Sequence, residues 1–452
     1  MPLRAVLAAV VLSVVLAAGL ASPIWAVCGY VMDYSVGFGR KWWIAPLTGM
    51  GLRVSLSLAG AIALGLWLNY SKLCQKFGRG VLQSQETLLL LFLGIIWLSF
   101  FLGDTTVGRY TITDHPTIKM TKVVIFVLLL THVATTLKDL NLVIWALVLG
   151  ALWLGVDAYE TPRRAFAKGR LEGIGGPDFS DANYFAAYMA TMLPLIGMQF
   201  MRTGWFGKLV CLAAGVFTTN AIILARSRGA FVGLLAGALM ALLLAPKQYR
   251  AKILVGLLVA GAGTLYLSDP QFLNRMTTIT RSEEERDSSA ASRIELVIAG
   301  TKMFQDHPLG VGPGNFYQNI GRYIPEYQGK DAHNAYMRCL TELGAHGFLL
   351  FLLLICNGFR VLWGLRKRAL DLPLHNQPDF QMLAFGSTVS LATLFGCCPT
   401  MSLTYVEFLW WFLMIPVCLD RALVNLKVEL PVTEMDAMCW DFPDEMDDAL
   451  PA

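Results

Sequence analysis

The sequence predicts an all-α polytopic membrane protein with about twelve transmembrane helices. Three observations carry this. The 452 residues are 56% hydrophobic and only 15% charged, where a soluble protein of this length has roughly a quarter charged residues. Mean hydropathy is +0.55. Apolar runs recur from end to end, and they are continuous rather than alternating, which excludes a transmembrane β-barrel.

Each run is near the roughly 20 residues a bilayer requires. The runs fall at 4–31, 48–69, 86–103, 120–137, 140–158, 182–201, 206–225, 229–245, 251–268, 334–364, 380–398 and 403–420. The first begins after Arg4 and continues through Pro23 to about Tyr30. That is too long for a signal-peptide core, so it reads as one membrane helix.

Lys and Arg in the short loops set the orientation. Lys72, Lys76, Arg79, Lys138, Arg202, Lys208, Lys247, Arg250, Lys252, Arg366, Lys367 and Arg368 share one side, which is assigned to the cytoplasm. The loops near 32–47, 104–119, 159–181, 226–228, 269–333 and 399–402 then lie outside. The 159–181 loop breaks the rule with Arg163, Arg164, Lys168 and Arg170, which points to another task for those charges. The resulting division is an N-terminal set of helices 1–5 over 1–158, a core of helices 6–12 over 159–424, and an acidic cytoplasmic tail over 425–452.

Composition excludes several functions. No basic cluster interleaved with aromatics supports nucleic-acid binding. The nine cysteines mostly fall in or near apolar spans and read as small buried residues, not as a disulfide framework or zinc site. Glu283, Glu284 and Glu285 form a solvated charge run, Asp33 is a lone carboxylate, and the other histidines are scattered singly, so no metal site is expected.

The external loop 269–333, between helices 9 and 10, is long enough to carry function. Its middle predicts a helix capped by Asp287 or Ser288, with Ile294, Val297, Ile298, Thr301 and Phe304 on one face. Pro308 ends it, and Gly310, Gly312 and Gly314 follow as a close turn at the membrane surface. No strand precedes them, so this is no dinucleotide fingerprint.

Candidate chemistry gathers on the same side. Arg226-Ser227-Arg228 occupies a tight turn between two apolar spans, Arg170 precedes Asp181-Ala182-Asn183, and Arg293 begins the loop helix. Arginine in hydrocarbon is expensive, and its planar fork suits bidentate phosphate contact. Two readings stand: the arginines bind a lipid-linked diphosphate, or they snorkel and pair with Glu172, Asp178 or Asp181. His333 stands where the loop meets helix 10. It is either a proton-handling residue, which its ordinary pKa near 6.5 suits, or a helix-start histidine bonded locally. Asn334, Asp331 and Glu342 are its candidate supports, although Arg338 and Glu342 are spaced to pair with each other.

At these residues the chain resembles the O-antigen ligase family, which shares a domain with O-antigen polymerases. The resemblance runs from about Arg170 to Phe351. It rests on Arg170 to Ala186, Ser227-Arg228-Gly229-Ala230, Arg293, Asp306-His307-Pro308-Leu309-Gly310-Val311-Gly312, and His333-Asn334 leading to Glu342-Leu343-Gly344. Trp42, Trp43 and Pro46 also look like the exosortase-associated branch of putative O-glycosylation ligases.

The resemblance implies a C-type glycosyltransferase-like membrane fold in a bacterial cytoplasmic membrane. It implies transfer of a glycan from undecaprenyl diphosphate to an acceptor hydroxyl (lipid, glycan or protein) on the external face, with no cofactor, metal or nucleotide sugar. Arg170, Arg228, Arg293 and the neighbouring Arg226 would hold the diphosphate and His333 would be the base. A polysaccharide polymerase is the near alternative. A lipid-linked glycan transporter is less well supported, since polar residues crowd one face and His132 is the clearest charge-capable residue near the midplane.

Overall fold

The apolar runs become helices because in hydrocarbon each backbone N–H must be satisfied within its own segment. The computed structural model describes residues 3–49, 51–77, 80–103, 110–166, 169–268, 272–273, 288–374 and 376–429, among which there is no strand. In chain order the main helices are α1 (Leu3–Ala21), α2 (Ile24–Val36), α3 (Val54–Leu68), α4 (Ser84–Leu102), α5 (Pro116–Val133), α6 (Leu137–Glu160) and α7 (Ala182–Arg202). There follow α8 (Trp205–Ala225), α9 (Arg228–Leu244), α10 (Arg250–Leu267), α11 (Ser288–Asp306), α12 (Ala335–Arg368), α13 (Gln377–Cys397) and α14 (Glu407–Glu429).

Among the described residues, ten helices are long and apolar enough to cross a membrane, or eleven if Val54–Leu68 and Tyr70–Lys76 form one bent crossing. This count is consistent with the expected all-α polytopic fold of about twelve helices. The difference falls on shorter apolar helices such as α9, with 17 residues.

The run at 4–31 is two helices, not one. Pro23 lacks the N–H that would continue α1, and the chain folds back at Ser22–Pro23. Gly19 packs on Ala26 and Gly29 on Val15, as in an antiparallel hairpin. The N-terminal set accordingly holds six helices. The start of α1 packs against residues 42–49, and its C-terminal end lies by Asn69, whose side chain donates to Leu20 O at 3.1 Å.

Polar contacts sort the loops onto two ends. At one end Arg202 forms a bidentate pair with Asp379 at 2.7 and 2.8 Å, Arg368 pairs with Asp420, and fully buried Arg421 meets fully buried Glu86 at 2.9 Å. His132 belongs to this end, not the midplane: its ring bonds Leu128 O and Val81 O at 2.7 and 2.8 Å. At the other end Tyr34 donates to Asp178, Tyr184 to Asp331, and Thr404 to Ala335 O. The loops alternate between ends as their charge pattern predicts.

Two packing devices position that second end. Gly229, Gly233 and Gly237 form a stripe on α9. A Cβ at any of them would collide with Thr400, Cys397 or Thr393, so α9 and α13 approach closely. The second device is a break in α12 at Gly344, where φ is 71°. The break frees backbone groups that the 308–316 turn then fills. Val311 N–H donates to Thr341 O at 2.9 Å, Gly312 N–H to Glu342 O at 2.9 Å, and Ala345 N–H to Pro308 O at 3.1 Å. Irregular backbone is tolerated at a membrane when protein satisfies it in this way.

The loop helix α11 forms as expected, but on the opposite face. Leu296, Ala299 and Met303 are its buried residues and share a small core with Val311, Phe316, Ile320 and Ala332, while Ile294 and Ile298 are exposed. The α12 surface offers Met337 and Thr341 to the small Gly300, which selects that face. Asp287, Lys168 and Glu283 to Glu285 lie outside the described residues, as does the tail beyond 429. The tail begins later than expected: α14 continues to Glu429, and buried Asn425 bonds Lys76 O and Thr135 O.

Candidate functional site at one end of the bundle

Asn183 is the hub of the arginine region. It lies in the first turn of α7, after Asp181, whose carboxylate caps the helix by accepting from Asn183 N–H at 2.6 Å. The Asn183 Oδ1 accepts from Arg170 Nη2 at 2.7 Å and from Ser227 Oγ at 3.0 Å. Arg170 Nε also donates to Ala225 O at 2.9 Å, an end-of-helix carbonyl on α8. The Arg226-Ser227-Arg228 turn is thereby tied to Arg170. Arg226 donates to Gly169 O. Ser227 caps α9, and Arg228 begins that helix. Arg226 and Arg228 are each only 7% exposed.

His333 sits in the next layer. Its backbone is left-handed, with φ 47°, and Arg226 has φ 48°. Among the described residues these are the two non-glycine positions with positive φ. Asn334 caps α12 by accepting from Tyr336 N–H and Met337 N–H at 2.9 and 3.1 Å, which fixes the chain on one side of His333. Ala332, 1% exposed, anchors the other side in the small loop core. The His333 ring is half-buried, and among the described residues nothing hydrogen-bonds it.

Tyr184, one residue after Asn183, donates to Asp331 Oδ2 at 3.2 Å and so links the arginine region to the loop ahead of His333. Asp331 also stands 3.8 Å from Arg338 Nη1. Glu342 is fully buried. Its carboxylate accepts from Arg338 Nε at 3.2 Å, Gly314 N–H at 2.9 Å and Phe316 N–H at 3.3 Å. Asp331 and Glu342 thus brace the loop, and neither hydrogen-bonds the His333 ring. Arg293 lies half-buried on α11, whose Gly300 packs against Met337 and Thr341 of α12.

Arg338 has a wider role than the expected helix pair. Besides its two carboxylates, its guanidinium lies 5.2 Å from the Tyr317 ring and 5.0 Å from the Tyr405 ring. Burial pushes both hydroxyls up, so both tyrosines stay protonated. An arginine five residues after His333, in the first turn or so of an apolar helix, was the available signal in the sequence; its aromatic partners are too distant in sequence to read. Sequence reasoning also missed Glu407. It opens an apolar helix at the same end of the bundle, and it lines one cleft with Asp33, which read as a lone carboxylate.

The fold and site define a multi-pass helical membrane protein with arginines and a strained histidine at one end of its bundle. Residues 213–352 match the family model described as O-antigen ligase, a match that supports a membrane enzyme of the O-antigen ligase or polymerase type. The match takes in Arg226, Arg228, Arg293, His333 and Glu342, and Arg170 precedes it. No curated protein matches the chain.

Proposed function

We propose that the protein transfers a glycan from undecaprenyl diphosphate to an acceptor hydroxyl at the external face of the bacterial cytoplasmic membrane. The observation that carries this reading is the pair of left-handed residues, Arg226 and His333, within the family domain. Such backbone costs of order 1–3 kcal/mol and persists where function requires the geometry.

In this mechanism His333 takes the proton from the acceptor hydroxyl. The acceptor oxygen attacks the anomeric carbon as the bond from that carbon to the diphosphate oxygen breaks. Undecaprenyl diphosphate leaves with the electron pair. Arg170, Arg226, Arg228 and Arg293 stabilise its charge, joined by the dipole of α9 at its N-terminus. The arginines take the part a metal ion plays elsewhere, so transfer continues in EDTA. Asn334, Asp331 and Glu342 hold the loop that presents His333.

A polymerase uses the same donor and chemistry and differs in its acceptor. The test gives purified protein an undecaprenyl-diphosphate glycan and a panel of acceptors (lipid A core, peptide hydroxyl, a second repeat unit). Transfer that depends on Arg228 supports the reading, and the productive acceptor separates ligase from polymerase. Transfer undiminished in Arg228→Ala contradicts it.

A further inference from the structure

A cavity opens at the same end of the bundle, with neither the arginines of the candidate site nor His333 in its lining. It is a cleft of about 220 Å³ between the end of α2, the start of α3 and the start of α14. Tyr30, Asp33, Tyr34, Arg40, Ser55 and Glu407 supply its polar lining. That volume lies below the roughly 300 Å³ at which sites for drug-sized ligands begin, so it suits one ring rather than an oligosaccharide or a lipid diphosphate.

The lining is built and held. Tyr30 donates to Glu407 Oε1 at 2.9 Å, and Ser55 donates to Asp33 Oδ2 at 2.6 Å. Tyr34 donates to Asp178 at 2.9 Å, and the Glu407 N–H donates to the same carboxylate oxygen at 3.0 Å. Arg40 is fixed by Gly176 O at 3.1 Å. Asp33 and Glu407 are 6% and 9% exposed, and burying carboxylates to that depth costs free energy that packing alone does not require. The neighbouring guanidinium makes the cleft a poor cation site. Carboxylates, hydroxyls and one guanidinium on a small concave wall match a polyhydroxylated ring. The cleft also borders the site: Thr404 donates to Ala335 O at 2.9 Å, and Tyr405 stacks near Arg338, two residues before Glu407.

Building on the glycan-transfer reading, we propose that this cleft seats one sugar ring of the glycans that meet at His333. The ring comes from the acceptor or from the donor, and the test separates them. Gly39 lines the cleft at an exposed position, and a Cβ there meets nothing within 4 Å, so Gly39→Phe adds a bulky ring at the rim of the cleft with no clash at its Cβ. Gly39→Ala is its control.

The first readout is binding alone. Full-length protein in detergent is given methyl glycosides of neutral, N-acetylated and uronic hexoses, and saturation transfer is recorded by NMR. Wild type and Gly39→Ala show transfer to at least one glycoside, and Gly39→Phe loses it. No transfer to any glycoside, or equal transfer in Gly39→Phe, overturns the proposal even if the enzyme reading holds. The second readout is kinetic. Gly39→Phe and Glu407→Gln raise KM for one substrate by about tenfold or more, the loss expected for a hydrogen bond to a charged group. A rise for the acceptor assigns the ring to the acceptor, and a rise for the donor assigns it to the donor. Unchanged KM for both overturns the proposal. If wild type transfers nothing, the binding readout still decides the cleft.

Discussion

Tyr184 donates its hydroxyl to Asp331 at 3.2 Å, and this bond joins the helix that organises the arginines to the loop that presents His333. Its neighbour Asn183 takes Arg170 and Ser227 on one oxygen. Two adjacent residues at the start of α7 therefore set both halves of the site. Tyr184→Phe keeps the ring and removes the bond. It lowers transfer about fivefold, equivalent to the roughly 1 kcal/mol of one hydrogen bond, while the thermal midpoint stays near wild type. A full transfer rate in Tyr184→Phe would show that the two halves are placed independently.

Gly344→Ala tests the break in α12. Its φ of 71° and ψ of −175° lie in a region essentially reserved for glycine, which costs a residue with a Cβ of order 1–3 kcal/mol. The added Cβ would also stand 2.5 Å from the Leu309 carbonyl carbon. The thermal midpoint of the purified protein falls, and the 308–316 turn becomes accessible to protease. An unchanged midpoint would mean that α12 can continue through this position.

Glu342 and Asp331 differ in what they hold. Glu342→Gln leaves fully buried polar partners around Arg338, and a broken buried pair costs roughly 3–5 kcal/mol. Asp331 is partly exposed, and its pair with Arg338 is long. Thermal unfolding should separate them, with Glu342→Gln lowering the midpoint more than Asp331→Asn. The reverse order would return Glu342 to a direct role at His333.

His115 gives a pH dependence. Its Nδ1 accepts from Thr117 N–H at 3.3 Å and caps α5, and burial lowers its pKa from the ordinary 6.5. The folded protein favours the neutral ring more than the unfolded chain does. This contribution is present above the ordinary histidine pKa and is lost as pH falls through the lowered value. His115→Asn retains a cap without titrating, so its midpoint drops less between pH 7 and 5. Parallel pH profiles would remove His115 from the account.

The hairpin of α1 and α2 places Leu3 at the His333 end. Leu3→Cys and Lys367→Cys, in a background without competing thiols, are labelled by an impermeant maleimide from opposite sides of sealed vesicles. Labelling from the same side would restore the single first span.

The class of fold and the order of the candidate residues were legible because both are local: apolar runs of bilayer length, and charges where such runs end. The return of the chain at Pro23 was not legible. Proline is common inside membrane helices, and only the fit of Gly19 on Ala26 decides for a hairpin. The buried face of α11 was missed because Leu296, Ala299 and Met303 compete with an equally apolar stripe through Ile294 and Ile298. The partner surface on α12 chooses between them. The roles of Glu342 and Glu407 depend on residues tens to hundreds of positions away, which spacing does not report.

The most direct measurement is single-turnover transfer at saturating undecaprenyl-diphosphate glycan, comparing wild type with His333→Ala. Donor binding is measured on the same preparations. The account predicts donor binding close to wild type and a transfer rate lower by roughly 10²–10⁴-fold, the usual contribution of a general base. Full transfer by a folded His333→Ala protein would contradict it.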